Sequence, residues 1–180
     1  MIEFPEIAEE ILRMKEADQN MRKQDFETGE GWDDEVDASN TEAMRNIIKE
    51  IGWPTKSKVG VEASRAAWLL VQHADRNTLF QEECLRLMKE QSSGEVDPRD
   101  MAYLEDRILV HTERKQRYGT QFGETRDESG KLIAYGPRPI DDEEHIDERR
   151  AEVGLEPMEE YIKEITGRYY PHLLDKDKNS

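Results

Sequence analysis

The chain has 180 residues, of which 35% are hydrophobic and 38% are charged, a composition that suits one ordinary domain with a core. Its formal net charge of −16 would repel the phosphates of nucleic acids and of anionic membranes. With a single cysteine, no basic n-region at the start and no long apolar stretch, the sequence argues against disulfides, a signal peptide and a membrane span, so we expect a protein of the cytoplasm.

Apolar residues recur at steps of three and four near the start of the chain, which predicts a helix over Phe4–Arg22. The acidic stretch Gln24–Ala38 contains two glycines and is predicted to be a loop. Ser39 and Glu42 have the spacing of a capping box, which predicts the start of a second helix that Gly52 closes.

Three further helices are predicted in the middle of the chain. The segment Val59–Ala74 is apolar nearly all round, as a buried central helix would be. The apolar spacing over Phe80–Met88 predicts the next helix. Asp97 followed by Pro98 predicts the start of another, with aspartate as the N-cap and proline in the first turn.

The pattern changes to period two over Arg117–Phe122, which predicts a strand. Asp127–Gly130 is a turn sequence, and Lys131–Tyr135 is a plausible return strand. One small β-hairpin is therefore expected, and it needs a partner surface because two strands alone are marginally stable.

Two helices are predicted at the end of the chain. Asp141 or Asp142 would cap a short one that runs to Val153, and the last would start at Glu156-Pro157 and end at Gly167. The predicted fold is mainly α: a single compact domain over residues 1–174, with about six or seven helices and one small β-hairpin. Residues 175–180 are expected to form a disordered charged tail.

Polar residues at positions that the helical period assigns to the core are the main functional signal. Asp18 lies on the apolar stripe of the first helix, with Arg22 four residues on as a possible partner. A buried Asp18 must be paired or must have a raised pKa. The alternative is that the helix has already left the core at this point.

His73 continues the apolar stripe of the central helix. An inward-facing histidine can be a satisfied core group, a base or a metal ligand. Asp75 would face away from it on a continuing helix and is expected to cap the next helix instead. His111 could approach His73, but the four histidines are widely spaced in sequence and no metal site is predicted.

A third feature is Gln116–Gln121, where amide, guanidinium, phenol and hydroxyl groups surround a glycine. Glycine in a strand often marks the close approach of a ligand or of another part of the backbone. An edge strand with a bulge is the alternative. Cys84 lies on an apolar stripe and is expected to be inert packing.

Four motifs follow one another along the chain: Gly52-Trp53-Pro54, Ala66-Ala67-Trp68-Leu69-Leu70-Val71-Gln72-His73-Ala74-Asp75, Gln116-Arg117-Tyr118-Gly119-Thr120-Gln121 and Asp147-Glu148-Arg149-Arg150-Ala151-Glu152-Val153-Gly154-Leu155. Together they resemble a bacterial family of unknown function, domain of unknown function 6624. The resemblance covers nearly the whole chain and includes Asp18-Gln19 with Arg22 and Asp37 with Asn40. The resemblance implies that six polar residues belong to the family's signature: Gln72, His73, Gln116, Tyr118, Thr120 and Gln121. It implies no activity.

Two hypotheses follow. In the first, the protein is a small hydrolase or transferase in which His73 is the general acid/base and Asp18 or Asp106 orients it or shares its proton. The residues expected to hold a small polar substrate are Gln72, Arg22, Gln116, Tyr118, Thr120 and Gln121. In the second, the protein is a non-enzymatic binding or accessory protein, and the same cluster is a structural hydrogen-bond network. The sequence identifies no cofactor and no oligomeric state.

Overall fold

The structure of the protein is a computed structural model that describes residues 2–174. Over these residues the chain forms nine α-helices, one 3₁₀ turn and one two-stranded antiparallel sheet. The prediction of a mainly α fold with a single small hairpin is therefore confirmed. The predicted tail, residues 175–180, lies outside the described residues.

The chain divides into two compact units, Met1–Met101 and Ala102–Ser180. The helices of the first unit are α1 (Pro5–Thr28), α2 (Asp34–Ile51), α3 (Lys56–Val59), α4 (Val61–Gln72) and α5 (Thr78–Lys89). Helix α6 (Pro98–His111) begins in the first unit and ends in the second. Within the first unit, α1 and α2 pack against α4 and against each other.

The prediction of a loop over Gln24–Ala38 is wrong except at its centre. Helix α1 continues to Thr28 and α2 already begins at Asp34, so Ser39 lies inside a helix and is not its cap. The cap is Asp33, whose carboxylate accepts the backbone N–H of Glu35 at 2.8 Å. Three acidic residues in the first turn of α2 further favour this start, because the N-terminus of a helix carries partial positive charge.

The predicted central helix is divided at Gly60, which has a positive φ of 84° and separates α3 from α4. His73 is the C-cap residue of α4. The next helix, α5, is capped by Asn77, whose side chain accepts the N–H of Phe80, and the expectation that Asp75 caps it is wrong. The predicted start of α6 is confirmed, since Asp97 accepts the backbone N–H of Arg99 at 3.0 Å.

The second unit contains the hairpin and three short or medium helices. Its elements are β1 (Phe122–Arg126), β2 (Leu132–Pro137), a 3₁₀ turn (Glu143–His145), α7 (Ile146–Glu152), α8 (Met158–Tyr169) and α9 (Pro171–Leu174). The predicted turn at Asp127–Gly130 is confirmed, and α8 continues past Gly167, where an end was predicted. The predicted strand over Arg117–Phe122 is wrong, because β1 begins only at Phe122.

The core of the second unit is apolar and small. It consists of Ile140, Ile146, Met158 and Tyr161, with partly buried aromatic and aliphatic side chains packed around it. Tyr103, Phe122 and Tyr161 meet edge to face, which adds a directional contribution to the burial of their area. Over the described residues, no helix combines the length and the apolar character needed to cross a membrane.

Candidate functional site

A histidine and a buried carboxylate are hydrogen-bonded in the first unit. Nδ1 of His73, at the end of α4, lies 2.8 and 3.0 Å from the two carboxylate oxygens of Asp18, on α1. Because a carboxylate can only accept, Nδ1 carries the hydrogen, and Nε2 of the neutral ring is then free to take up a proton. Asp18 is fully buried, whereas the His73 side chain keeps 16% of its surface exposed.

Asp18 has two further donors, both from its own helix. Gln19 donates to Oδ2 at 2.8 Å, and Nε of Arg22 donates to Oδ1 at 3.0 Å. Burial by itself raises the pKa of Asp18, but the bonds and charges of His73, Gln19 and Arg22 together lower that pKa below its ordinary value. The alternative that α1 has left the core at Asp18 is therefore wrong. The carboxylate to which His73 is hydrogen-bonded is the ionised form.

Arg22 connects α1 to α2. Besides its bond to Asp18, its guanidinium donates to Oδ1 of Asp37 at 2.6 Å and lies 4.8 Å from the centre of the Trp32 ring. The sequence suggested that Arg22 contacts substrate. In the structure its guanidinium holds two carboxylates and an indole in place.

His73 lines a cleft of about 400 Å³. Nε2 has no hydrogen-bond partner among the residues that the structure describes. The cleft is bounded by the loop before α2, one face of α2 and the segment after α4. Its lining residues are Trp32, Asp34, Asp37, Ala38, Thr41, Glu42, Arg45, His73, Ala74, Asp75, Arg76 and Asn77.

Gln81, on α5, fixes the end of the helix that carries the histidine. Its side chain is fully buried, and Nε2 donates to the carbonyls of Val71 and Gln72 at 3.2 and 3.1 Å. These carbonyls belong to the last turn of α4, where the regular hydrogen bonds of the helix run out, although that of Val71 also accepts the backbone N–H of Ala74 at 3.1 Å. Gln72 itself is buried and does not line the cleft, so its predicted contact with substrate has no support in the cleft geometry.

Several residues of this site were not among the predicted site residues. Asp37, Thr41 and Arg45 lie on one face of α2 at helical spacing. The family resemblance includes Asp37, but the predicted loop over Gln24–Ala38 gave it no helical face to share with Thr41 and Arg45. Gln81 left a usable signal, since it shares an apolar stripe with Cys84 and Met88 at steps of three and four.

A second polar cluster lies in the second unit and is built around Asp106. The carboxylate is fully buried and accepts the backbone N–H groups of Arg117, Tyr118 and Thr120 at 2.7, 3.1 and 2.9 Å. It also accepts the Thr120 hydroxyl at 2.9 Å. Burial raises the pKa of Asp106, and the bonds from these donors oppose that rise because they favour the ionised form.

Gln116 stabilises the same segment, residues 116–121, through its side-chain amide. Its fully buried side chain donates to the carbonyls of Gln121 and Arg138, at 3.0 and 2.7 Å, and accepts the N–H of Gln121 at 2.8 Å. Gly119 has a φ of +72°, and a Cβ there would lie 2.7 Å from the sulfur of Met158. The close approach predicted at this glycine is therefore that of a core side chain.

The predicted site residues thus fall into two groups. The structure brings Asp18, Arg22 and His73 together in the first unit, and Asp106, Gln116, Tyr118, Thr120 and Gln121 together in the second. Among the described residues, no three His, Cys, Asp or Glu side chains are arranged to hold a metal ion. Cys84 is fully buried, and burial raises the pKa of its thiol.

These features define a mainly helical protein in which a buried aspartate orients a histidine at the wall of an open cleft. The chain matches a family described as a family of unknown function (DUF6624) over residues 5–172, and it belongs to that family. No curated protein and no solved structure matches the chain.

Proposed function

We propose that the protein is a small hydrolase or transferase that acts on a small polar substrate in the cleft, with His73 as the general acid/base. The observation that supports this proposal is the bond from Nδ1 of His73, a residue that lines the cleft, to the buried Asp18, which leaves Nε2 without a partner among the described residues. A base oriented by a third group in this way is the usual arrangement for activating a nucleophile.

Asp18 and the residues that support it and the end of α4 then have separate roles. Asp18 holds the ring in the tautomer with Nδ1 protonated and stabilises the imidazolium that forms when Nε2 takes a proton. Arg22 keeps Asp18 in place, and Gln81 keeps the end of α4 in place. A volume of about 400 Å³ is within the range of small-molecule sites.

For the Asp106 cluster we favour the structural alternative. Its carboxylate and the Gln116 amide are buried and bonded to backbone groups, so neither has an atom left for a substrate. Tyr118 and Gln121 are only partly buried, and their contact with a substrate stays a prediction.

The proposed setting is the bacterial cytoplasm, with a small polar ligand and neither nucleic acid nor membrane as a partner. Two properties support it: the net charge of −16, and a single cysteine whose thiol is buried.

The test compares two aspartate–histidine pairs in one protein. His145 also has its Nδ1 bonded to a carboxylate, that of Asp142 at 2.9 Å, but this pair is exposed and outside the cleft. Hydrolysis of a panel of carboxylic and phosphoric esters is measured for wild type, His73→Gln and His145→Gln. We expect the first variant to lose about 100-fold or more in kcat/KM and the second to keep wild-type activity.

Equal activity of wild type and His73→Gln would exclude the proposal. Nitrogen-15 NMR of the His73 ring provides an independent check, because the proposal requires the hydrogen on Nδ1 and a bare Nε2 in the neutral form. A ring protonated only on Nε2 would be incompatible with the proposed role.

A further inference from the structure

We infer that Asp37 is a second proton-transfer residue of the cleft, which donates a proton to the leaving atom of the substrate while His73 removes one from the nucleophile. This inference rests on the proposed function and adds to it a second catalytic group and a reaction type. It concerns a residue on α2, whereas His73 and Asp18 belong to α4 and α1.

The position of Asp37 carries the inference. Asp37, on α2, and His73, at the end of α4, both line the cleft. Oδ1 of Asp37 is held by Arg22 at 2.6 Å, and Oδ2 has no hydrogen-bond partner among the described residues. Asp37 is therefore held through one oxygen, and its side chain keeps 19% of its surface exposed.

The other carboxylates near the cleft differ in this respect. Both oxygens of Asp34 are occupied, one by the indole N–H of Trp32 at 2.8 Å and one by Arg76 at 2.6 Å. Asp18 is fully buried behind His73.

Two more carboxylates line the cleft and both are exposed: the Glu42 side chain has no hydrogen bond among the described residues, and Asp75 accepts a long bond from Gln81 at 3.4 Å. Asp37 differs from them because it is partly buried and has a short bond from Arg22 to one oxygen.

The electrostatics separate the two carboxylates that share Arg22. Burial raises the pKa of Asp37, and the negative charge of Asp18 adds to this, while Arg22 and His73 act in the opposite direction. The pKa of Asp18 is lowered. The opposite displacement of these two pKa values suits different roles for the two acids, an ionised Asp18 that orients His73 and an Asp37 that can carry a proton. Asp37 is the member of this pair that binds a proton more readily.

The step balances without a cofactor. Nε2 of His73 takes the proton of a water or hydroxyl group as its oxygen forms a bond to the electrophilic centre. The bond from that centre to the leaving atom breaks, the leaving atom keeps the electron pair, and Asp37 supplies its proton. His73 then releases a proton to solvent and Asp37 regains one, so the protein returns to its starting state.

The first experiment is a carbon-13 NMR titration of the aspartate carboxyl groups in the full chain. Spectra of Asp37→Asn and Asp34→Asn assign the two cleft signals. The Asp37 signal is expected to titrate at higher pH than that of Asp34, whose pKa is lowered first by its bond to Trp32 and then by Arg76. An Asp37 signal that titrates at or below the pH of Asp34 overturns the inference, whether or not the protein is an enzyme.

The second experiment uses the leaving group as the readout. Ethyl acetate needs a proton on its departing oxygen and p-nitrophenyl acetate does not, so Asp37→Asn should slow hydrolysis of the ethyl ester about 100-fold and the aryl ester far less. Asp142→Asn, which changes an exposed carboxylate outside the cleft, is the control and should slow neither. Equal losses on both esters in Asp37→Asn would overturn the inference. Failure of the proposed function has a different signature, namely hydrolysis that is unchanged in His73→Gln.

Discussion

Asp18 and Asp106 are both fully buried helical carboxylates, and their surroundings differ in one respect. The partners of Asp18 are side chains, and one of them, His73, opens onto a cleft. The protein partners of Asp106 are the backbone N–H groups and the hydroxyl of one short segment. A buried carboxylate bonded to backbone fixes a loop, whereas one bonded to an accessible side chain can tune and orient that side chain for chemistry.

The largest effect is expected from Asp106→Asn. The amide would place a donor against N–H groups that need an acceptor, so we expect a loss of about 3 kcal/mol in the free energy of unfolding. Urea unfolding followed by circular dichroism measures it. Asp142→Asn changes an exposed carboxylate of the same unit and should leave the urea midpoint close to that of wild type. Similar midpoints for the two variants would remove the structural role assigned to Asp106.

Gly119→Ala should have the next largest effect. The new methyl group would meet Met158 at 2.7 Å and force alanine into a left-handed conformation, at a cost of about 2 kcal/mol. Gly130→Ala is the matched control, since Gly130 also has a positive φ but no atom within 4 Å of the added Cβ. Its loss in the same urea titration should be about 1 kcal/mol, from backbone strain alone. Equal losses would show that packing at Gly119 contributes nothing.

His73→Gln should change the free energy of unfolding by less than about 1 kcal/mol, because Asp18 keeps Gln19 and Arg22 as donors and the ring is partly exposed. This small effect on stability would accompany the large loss of activity expected above. A loss in the urea titration as large as that of Asp106→Asn would instead place His73 among the structural residues.

The smallest effect is a difference in pH dependence between the two carboxylates. The folded-state pKa of Asp18 is lowered from 3.8, so its contribution to stability is present above that value and is lost as the pH falls through the lowered pKa. The folded-state pKa of Asp106 is raised from 3.8, so the stability linked to it decreases as the pH rises from that value through the raised pKa. Between pH 3 and 7, the difference in urea midpoint between wild type and Asp18→Asn should therefore increase with pH, whereas the difference between wild type and Asp106→Asn should decrease with pH. If the urea midpoints of the three proteins changed with pH in the same way, the opposite pKa displacements of Asp18 and Asp106 would be contradicted.

The sequence predicts the orientation of a side chain correctly where the period of a single helix determines it. The inward orientation of Asp18 and of His73 follows from the period of their helices, and the capping of α6 by Asp97 follows from local chemistry. The choice between Asp18 and Asp106 as the partner of His73 could not be made, because it depends on the packing of α1 against α4.

The alternating segment Arg117–Phe122 shows why period two alone is not enough. A strand needs its N–H groups for a neighbouring strand, but here three of them are bonded to the Asp106 carboxylate. The left-handed backbone of Gly119 then bends the segment. A carboxylate that precedes the segment by about ten residues decided the local structure, and no local pattern reveals such a contact.

Trp32 gives the cleft an intrinsic optical probe. The residue is 49% exposed and lines the cleft, and its ring lies against Arg22, whereas Trp53 is almost completely buried. Indole emission shifts to longer wavelength in contact with water, so Trp32 should emit to the red of Trp53. A compound that enters the cleft would displace water from Trp32, and the resulting blue shift would be absent in Trp32→Phe. Candidate ligands can therefore be screened by fluorescence before any reaction is known.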